Sequence, residues 1–247
     1  MEEYFKAKMN LGKISGKYLV HHSIEQNEYQ KYGWQVANIK QGKKLEFAID
    51  DIEISCDIFG QFQAHNILSA IMALKEFNLN DQWHKKIVEQ IPNLKAPIGR
   101  MQKIEKDGRT VLIDNAHKPD ALKNAIKSIK KYSPSVKIFV VAGCGGNRDK
   151  QKRPIMGKIM QQMADVAIVT SDNPRNEDAQ AIAHEMVTEC TKQPIIILDR
   201  KTAIEHAIGQ MKPNDVLLIA GKGDETYQIF ADKTIEFSDY EIAKEIL

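Results

Sequence analysis

The hydrophobic residues of this chain concentrate in four short runs, each of which stops abruptly at a loop of glycine, proline and charged residues. The runs span residues 110–113, 137–142, 166–170 and 216–220. Short, β-branched runs separated by helical stretches are typical of parallel strands buried on both faces. Because the carboxyl ends of parallel strands meet at one edge of a sheet, the pattern predicts that the four loops line one crevice.

Stretches with helical spacing separate these runs and follow the last of them. Helices are predicted at residues 119–131, 152–163, 179–191, 201–211 and 239–247. The repeated order of strand and helix predicts an α/β domain with a doubly wound, mostly parallel sheet over residues 98–247.

The first 97 residues follow a different pattern. Pro92, Pro97 and Gly99 interrupt regular structure at its end, so the domain boundary is placed between residues 97 and 98. Helical spacing is found at 4–11, strands are predicted near 34–39, 45–49 and 52–58, and helices are predicted at 64–77 and 81–90.

Composition narrows the class of protein. The 247 residues are 43% hydrophobic and carry a formal net charge of +2, with basic residues scattered along the chain, so nucleic acid is not an expected partner. The sequence contains no membrane-length apolar run and no signal-peptide pattern, and a cytoplasmic protein is expected. Three cysteines, Cys56, Cys144 and Cys190, are too few and too far apart to predict a disulfide framework or a zinc site.

The glycine-rich loop at residues 143–149 follows a buried strand and precedes a helix. Its glycines would let backbone amides approach a phosphate or carboxylate, and Arg148 adds a cation with five donors. A tight turn that needs positive φ is the alternative. Position 148 breaks the G-x-G-x-x-G pattern, which argues against a nucleotide-dependent oxidoreductase.

The loop at residues 171–175 reads Ser-Asp-Asn-Pro-Arg. Turn chemistry accounts for Asp172, Asn173 and Pro174. It does not account for Arg175, which would grip a carboxylate with two hydrogen bonds or else lie solvated on the surface.

Two further loops carry candidate chemistry. Asp114 and His117 stand just past a strand, where they would hold a ribose or a phosphate. Glycines flank Lys222 at the start of a predicted helix, and the carboxylate that follows would hold a substrate ammonium. Structural roles, as a fixed histidine and as a turn with exposed charges, remain open for both loops.

Five segments together resemble the Mur ligases, and most closely the UDP-N-acetylmuramoyl-tripeptide synthetase branch that adds meso-diaminopimelate. The resemblance implies a Rossmann-like C-terminal domain at 98–247 and the C-terminal part of the central ATP-binding domain at 1–97. The segments are Gly99-Arg100-Met101, DNAHKPDAL (114–122), GCGGNRDKQKRPIMG (143–157), TSDNPRNED (170–178) and AGKGDETYQ (220–228).

By this resemblance, ATP with Mg²⁺ activates a carboxylate of a UDP-linked muramoyl dipeptide, and the amine of meso-diaminopimelate attacks the acyl phosphate. Lys8, if carbamylated, would be a catalytic metal ligand, and His117 a catalytic residue. Nucleotide contacts are implied at Asn66, Arg100, Asp114 and His117. Contacts to meso-diaminopimelate are implied at Arg148, Asp172, Asn173, Pro174, Arg175, Gly221 and Glu225. Arg200 lies outside this set, and its replacement is expected to change the binding of meso-diaminopimelate little.

The sequence departs from the family pattern at several positions, and no G-x-x-x-x-G-K-[ST] phosphate loop occurs in it. A chain of this sequence is therefore expected to be inactive alone, as part of a ligase or as half of a split enzyme whose phosphate loop is on a separate chain. The alternative is a non-catalytic binding module for diaminopimelate or a peptidoglycan precursor. The departures are Gln63, Asn115, Lys118, Asn147 and Asp224.

Overall fold

A computed structural model describes residues 36–42, 44–49, 52–76, 86, 89–132 and 135–247. Lys8, the predicted helix at 4–11 and most of the predicted helix at 81–90 lie outside these ranges. Contacts between residues divide the chain into two compact units, the first ending at Leu94 and the second consisting of Ile58–Gly60 and Lys95–Leu247. None of the described helices is long and apolar enough to span a bilayer.

The first unit contains a three-stranded antiparallel sheet and a helix. Its strands are β1 (Val36–Gln41), β2 (Leu45–Ile49) and β3 (Ile52–Cys56), paired in that order. Helix α1 (Phe62–Glu76) buries Ala64, Ile67, Leu68 and Ile71, which share one face because they are three or four residues apart.

The second unit is built on a six-stranded sheet. Its strand order is β4-β5-β9-β6-β7-β8, and every neighbouring pair is parallel except β4 with β5. The chain therefore returns from the β8 edge to place β9 between β5 and β6. The strands are β4 (Gln102–Lys106), β5 (Arg109–Asp114), β6 (Ile138–Ala142), β7 (Val166–Val169), β8 (Ile195–Ile196) and β9 (Val216–Ala220).

Helices cover both faces of this sheet, which confirms the predicted doubly wound α/β fold. Along β9, Val216, Leu218 and Ala220 pack in the core of one face, whereas Leu217 and Ile219 pack in the core of the other. Both faces are buried, so the strand is apolar throughout. The first face is covered by α2 (Pro119–Tyr132), α3 (Lys152–Met163) and α4 (Ala179–Val187), and the second by α5 (Arg200–Gln210) and α6 (Asp239–Ile246).

The structure differs from the sequence prediction at the sheet edges and after β9. The sequence pattern missed strand β4, because an edge strand carries polar residues, and β8, because it has two residues. Helix α4 ends at Val187 rather than at residue 191, and the Thr188 hydroxyl bonds back to the His184 carbonyl there. A hairpin of β10 (Tyr227–Ile229) and β11 (Thr234–Glu236) stands where a helix was predicted to follow Lys222.

A buried ion pair joins the starts of the two helices on the second face. The guanidinium of Arg200 donates to both carboxylate oxygens of Asp239 at 2.7 Å, and both side chains have no exposed surface. Arg200 also donates to the carbonyls of Ser171 and Ala220, at the ends of β7 and β9. Arg200 is not among the residues that line the cavity described below, and its contacts assign it a structural role. That its replacement changes the binding of meso-diaminopimelate little stays a prediction.

We expect Arg200→Ala to lower the free energy of unfolding by about 3 to 5 kcal/mol, because it leaves the Asp239 carboxylate buried without its partner. Lys201→Ala, one residue away on the exposed surface, should change it by less than about 0.5 kcal/mol. Urea denaturation followed by circular dichroism measures both. Equal stability of the two variants would contradict a structural role for the buried pair.

Candidate functional site

One cavity of about 850 Å³ opens at the carboxyl ends of the parallel strands. Residues from the loops after β5, β6, β7 and β9 all line it, as the sequence pattern predicts. The lining residues are Asn115, His117, Lys118, Pro119, Asp120 and Ala121 from the first loop and helix, Gly145, Arg148, Asp149 and Lys152 from the second, Asp172, Asn173 and Arg175 from the third, and Gly221 and Glu225 from the fourth.

The glycine-rich loop packs its backbone directly against the loop after β7. A Cβ atom at Gly143 would collide with the carbonyl of Thr170, and one at Gly146 would collide with the carbonyl of Pro174. Neither glycine has positive φ, so close approach rather than turn geometry explains them. The amide of Gly146 donates to Asn173 O at 2.9 Å, so this one amide of the loop is not available to an anion.

A buried arginine on α3 holds these two loops in place. Arg153 has no exposed surface; it donates to Glu177 at 3.0 Å, to Glu185 at 2.7 Å and to the carbonyl of Gly145 at 3.3 Å. Glu177 also accepts from the amide of Asn147 at 2.5 Å. The hydrogen bonds from Arg153 and then Asn147 lower the pKa of Glu177 to about 2.

Arg175 reaches the cavity from a backbone that is fixed in an uncommon conformation. Its φ is 53°, in the left-handed region that non-glycine residues seldom adopt. Its amide donates to Ile229 O at 3.1 Å, and its Nη1 donates to Gly146 O at 3.0 Å and Asn173 O at 3.3 Å. Within the described residues Nε and Nη2 have no partner, which leaves one edge of the guanidinium open to a carboxylate.

Arg148 supplies a second cation. Its side chain is exposed at the cavity wall and makes no hydrogen bond or ion pair within the described ranges. Asn147, just before it, has φ 53° and begins the turn that presents it. Lys118 and Lys152 line the same cavity, and Lys152 Nζ donates to the His117 carbonyl at 2.8 Å.

Four carboxylates, those of Asp120, Asp149, Asp172 and Glu225, contribute the opposite charge. Asp172 and Glu225 line the cavity, and both interact with the buried ammonium of Lys222, at 3.5 and 2.9 Å. Burial raises the pKa of Glu225, but hydrogen bonds from Lys222 and Asn173 outweigh it, and the net effect is a lowered pKa. The cavity thus offers cations and carboxylates together, which suits a ligand that carries carboxylate and ammonium groups.

The candidate nucleotide residues are less closely grouped. Asp114 accepts a hydrogen bond from the amide of Met101 at 2.8 Å, and burial raises its pKa. His117 is exposed, and its Nδ1 lies 2.9 Å from the Asn115 carbonyl. Arg100 and Asp114, like Pro174, do not line the cavity. Asn66 belongs to the first unit, where its amide donates to Gln63 at 2.8 Å.

The sequence interpretation missed two residues that organise the site. It placed Lys222 at the start of a helix, with an exposed turn as the alternative, and it did not consider Arg153. A signal for Arg153 is present in the sequence: with Met156, Gly157 and Met160 it forms the buried face of α3, so a charged residue occupies a core position. An arginine at such a position requires acidic partners nearby. Two of the residues that depart from the family pattern, Asn115 and Asp224, contact one another: Asn115 Nδ2 donates to Asp224 Oδ1 at 3.4 Å.

The fold and the position of the cavity define a doubly wound α/β protein that binds a ligand at the carboxyl ends of its strands. The family profile described as "Mur ligase, glutamate ligase domain" matches residues 99–223, and the chain belongs to that family. A UDP-N-acetylmuramoyl-L-alanyl-D-glutamate–2,6-diaminopimelate ligase from Rickettsia bellii is 41% identical over 207 residues, which are 82% of this chain and 43% of that protein.

Two other relatives extend the comparison. The ligase of the same name from Buchnera aphidicola is 37% identical over 255 residues, covering 98% of this chain and 50% of that protein. A solved structure of a ligase with this name superposes with a TM-score of 0.63 at 30% identity, covering 90% of this chain and 46% of the other. The chain therefore spans about half the length of the relatives that it matches, or somewhat less.

Because the pKa of Glu177 is lowered on folding, the free energy of unfolding depends on pH. Its carboxyl changes from an ordinary value of 4.5 to about 2 on folding, so protonation favours the unfolded chain and this contribution is lost as the pH falls from about 4.5 to 2. We expect Glu177→Gln to lose less stability over that range than the unaltered chain. Urea midpoints from pH 2 to 7 measure this, with the exposed Glu189→Gln as control; parallel curves for all three proteins would contradict the assignment.

Proposed function

We propose that residues 98–247 form the amino-acid-binding domain of an ADP-forming ligase that adds meso-diaminopimelate to UDP-N-acetylmuramoyl-L-alanyl-D-glutamate in peptidoglycan precursor synthesis. The observation that carries this proposal is the cavity that combines Arg148 and Arg175 with Asp172 and Glu225. The names of the relatives, which specify a 2,6-diaminopimelate ligase, support the same substrate.

Charge matching explains the choice of amino acid. meso-Diaminopimelate carries an ammonium and a carboxylate at each end, whereas lysine lacks the distal carboxylate. In this proposal the open edge of Arg175 pairs with the distal carboxylate, and Arg148 adds a second cation. Asn173, Pro174 and Gly221 contribute through the geometry of their loops. Asp172 and Glu225 then receive an ammonium, which must lose a proton before its nitrogen attacks the activated carboxyl.

The remaining parts of the ligase reaction are assigned by resemblance. We propose that Arg100, Asp114 and His117 contact ATP from the second unit, that Asn66 reads its adenine, and that the first unit belongs to the central ATP-binding domain. Lys8, when carbamylated, would be the metal ligand of the family. No three His, Cys, Asp or Glu side chains are grouped as metal ligands in the part of the chain that the structure describes.

A second candidate is a non-catalytic module that binds diaminopimelate or a peptidoglycan precursor. The observation that favours it is the missing G-x-x-x-x-G-K-[ST] loop, which leaves the β- and γ-phosphates of ATP without a cradle in these 247 residues. A ligase built from this sequence would take that loop from elsewhere, for example from a separate chain. Both candidate functions use the same amino-acid-binding site, and they differ in whether a peptide bond is formed after the amino acid binds.

We expect the unaltered chain to bind meso-diaminopimelate more tightly than L-lysine. Arg175→Ala should weaken the binding of meso-diaminopimelate by about 1.5 to 3 kcal/mol, because a hydrogen-bonded charge pair is lost. That loss is about 10- to 150-fold in Kd. Arg175→Lys should recover only part of the lost affinity, since lysine keeps the positive charge but lacks the two parallel N–H donors of the guanidinium. Titration calorimetry, with and without the UDP-linked dipeptide, measures these affinities.

The control for this series is Lys192→Ala, which removes an exposed cation between α4 and β8 and should leave both affinities unchanged. If the chain binds meso-diaminopimelate and L-lysine with equal affinity, and Arg175→Ala changes neither affinity, the basis for assigning this substrate is removed. A failure of the unaltered chain to bind meso-diaminopimelate under either condition would remove it as well.

We also expect no phosphate release from ATP by the 247-residue chain alone, whether or not meso-diaminopimelate and the UDP-linked dipeptide are present. The reason is that adenine contacts without a phosphate cradle leave the most charged part of the nucleotide unpaired. A timed phosphate-release assay measures this. ADP formation that depends on both substrates would place the phosphate contacts within this sequence and exclude the non-catalytic candidate.

A further inference from the structure

A lysine ammonium is buried at the base of the cavity. Lys222 follows β9, has no exposed surface and is the one lysine among the buried residues that the structure describes. An ammonium removed from water is costly unless acceptors replace its hydration. The flanking glycines, Gly221 with φ 116° and Gly223 with φ 59°, take backbone conformations that other residues avoid and direct the chain inward at this point.

Lys222 Nζ contacts three acceptors, one for each of its protons. They are Glu225 Oε2 at 2.9 Å, Asn173 Oδ1 at 3.0 Å and Asp172 Oδ1 at 3.5 Å. The Tyr227 ring lies 5.9 Å from the same nitrogen, measured to the ring centre. The ammonium thus joins the loop after β7 to the loop after β9, and its single positive charge is shared by two carboxylates.

The same contacts fix the orientation of Asn173. Its Oδ1 accepts from Lys222 and from the amide of Ile229 at 3.0 Å, so its Nδ2 must face Glu225, to which it donates at 2.8 Å. Glu225 Oε2 is therefore used twice, and Glu225 Oε1 has no partner within the described residues. Asp172 Oδ2 is also unpartnered there. Each carboxylate lines the cavity with one oxygen still able to accept.

We propose that Lys222 is a positioning residue that holds Asp172 and Glu225 in place and leaves one oxygen of each free to receive the ammonium of the incoming amino acid. This inference rests on the proposed function for the identity of the ligand. One shared cation leaves the pair of carboxylates with a net charge of −1. That charge matches one ammonium, and Lys222 itself does not touch the ligand.

Removal of the ammonium should change the pKa of Glu225. The other charged groups that act on Glu225 are Arg175, which favours the ionised form, and the buried Arg200, which Asp239 neutralises. Without Lys222, burial and the neighbouring Asp172 both oppose ionisation of Glu225. The ammonium also fixes the positions of both carboxylates through its contacts, so ligand affinity should fall when it is removed.

The test is a carbon-13 NMR titration of the glutamate side-chain carboxyls, with Glu225 identified by the loss of its signal in Glu225→Gln. In Lys222→Met we expect the pKa of Glu225 to rise by about 1 pH unit or more. Lys201→Met, on the exposed surface of α5, is the matched control and should leave it unchanged. An unchanged titration of Glu225 in folded Lys222→Met would overturn the inference.

A measurement on the unaltered chain covers the case in which Lys222→Met does not fold. Proton exchange at the Lys222 ammonium, followed by nitrogen-15 NMR, should be at least about tenfold slower than at Lys201, because three acceptors hold its protons. Exchange as fast as at Lys201 would overturn the inference.

Ligand titration separates this inference from the proposed function. If Lys222 controls the titration of Glu225 but meso-diaminopimelate does not bind the unaltered chain, the substrate assignment fails and the positioning of the carboxylates stands. If meso-diaminopimelate binds with equal Kd to the unaltered chain and to Lys222→Met, the positioning role is overturned while the substrate assignment stands. We expect the Kd to rise at least tenfold in Lys222→Met and to stay unchanged in Lys201→Met.

Discussion

Backbone contact between the loops after β6 and β7 is the constraint on which the site depends. Gly143 and Gly146 bring one loop so close to the carbonyls of Thr170 and Pro174 that a Cβ atom at either glycine would collide. This contact places Arg148 and Arg175 on the wall of one cavity. It also engages the Gly146 amide in a hydrogen bond to Asn173 O, so that donor is not available to an anion.

Three buried cations act behind this contact. Arg153 joins α3 to the glycine-rich loop and to Glu177. Arg200 joins the ends of β7 and β9 to Asp239. Lys222 joins Asn173 to Glu225. Each cation is costly to bury, and each is paired with carboxylates and hydrogen-bonded to the loops, so the loops and the charges fix one another. Loss of one partner would leave an unpaired charge, which ties the geometry of the cavity to the stability of the fold.

The sequence predicts the sheet better than the contacts within the site. Strands β6 and β9 are apolar because helices bury both of their faces, so each strand can be located from its continuous apolar run in the sequence. Strand β4 and the hairpin after Lys222 escape prediction because polar edge strands lack such a signal. The burial of Lys222 and Arg153 depends on partners distant in sequence, such as Asn173 for Lys222. A charged side chain is assumed to be exposed unless those partners are known.

The left-handed backbone of Arg175 follows from the same contacts. A non-glycine residue in this region is strained by about 1 to 2 kcal/mol, so other interactions must hold it there. Its amide is bound to Ile229 O, and its Nη1 is bound to the carbonyls of Gly146 and Asn173. These bonds fix the guanidinium before any ligand arrives, and its Nε and Nη2 edge has no partner among the residues that the structure describes. An arginine held in this way loses little side-chain entropy when a ligand binds. Because the Nε and Nη2 edge is planar and carries two parallel donors, it favours a carboxylate as the group that binds there.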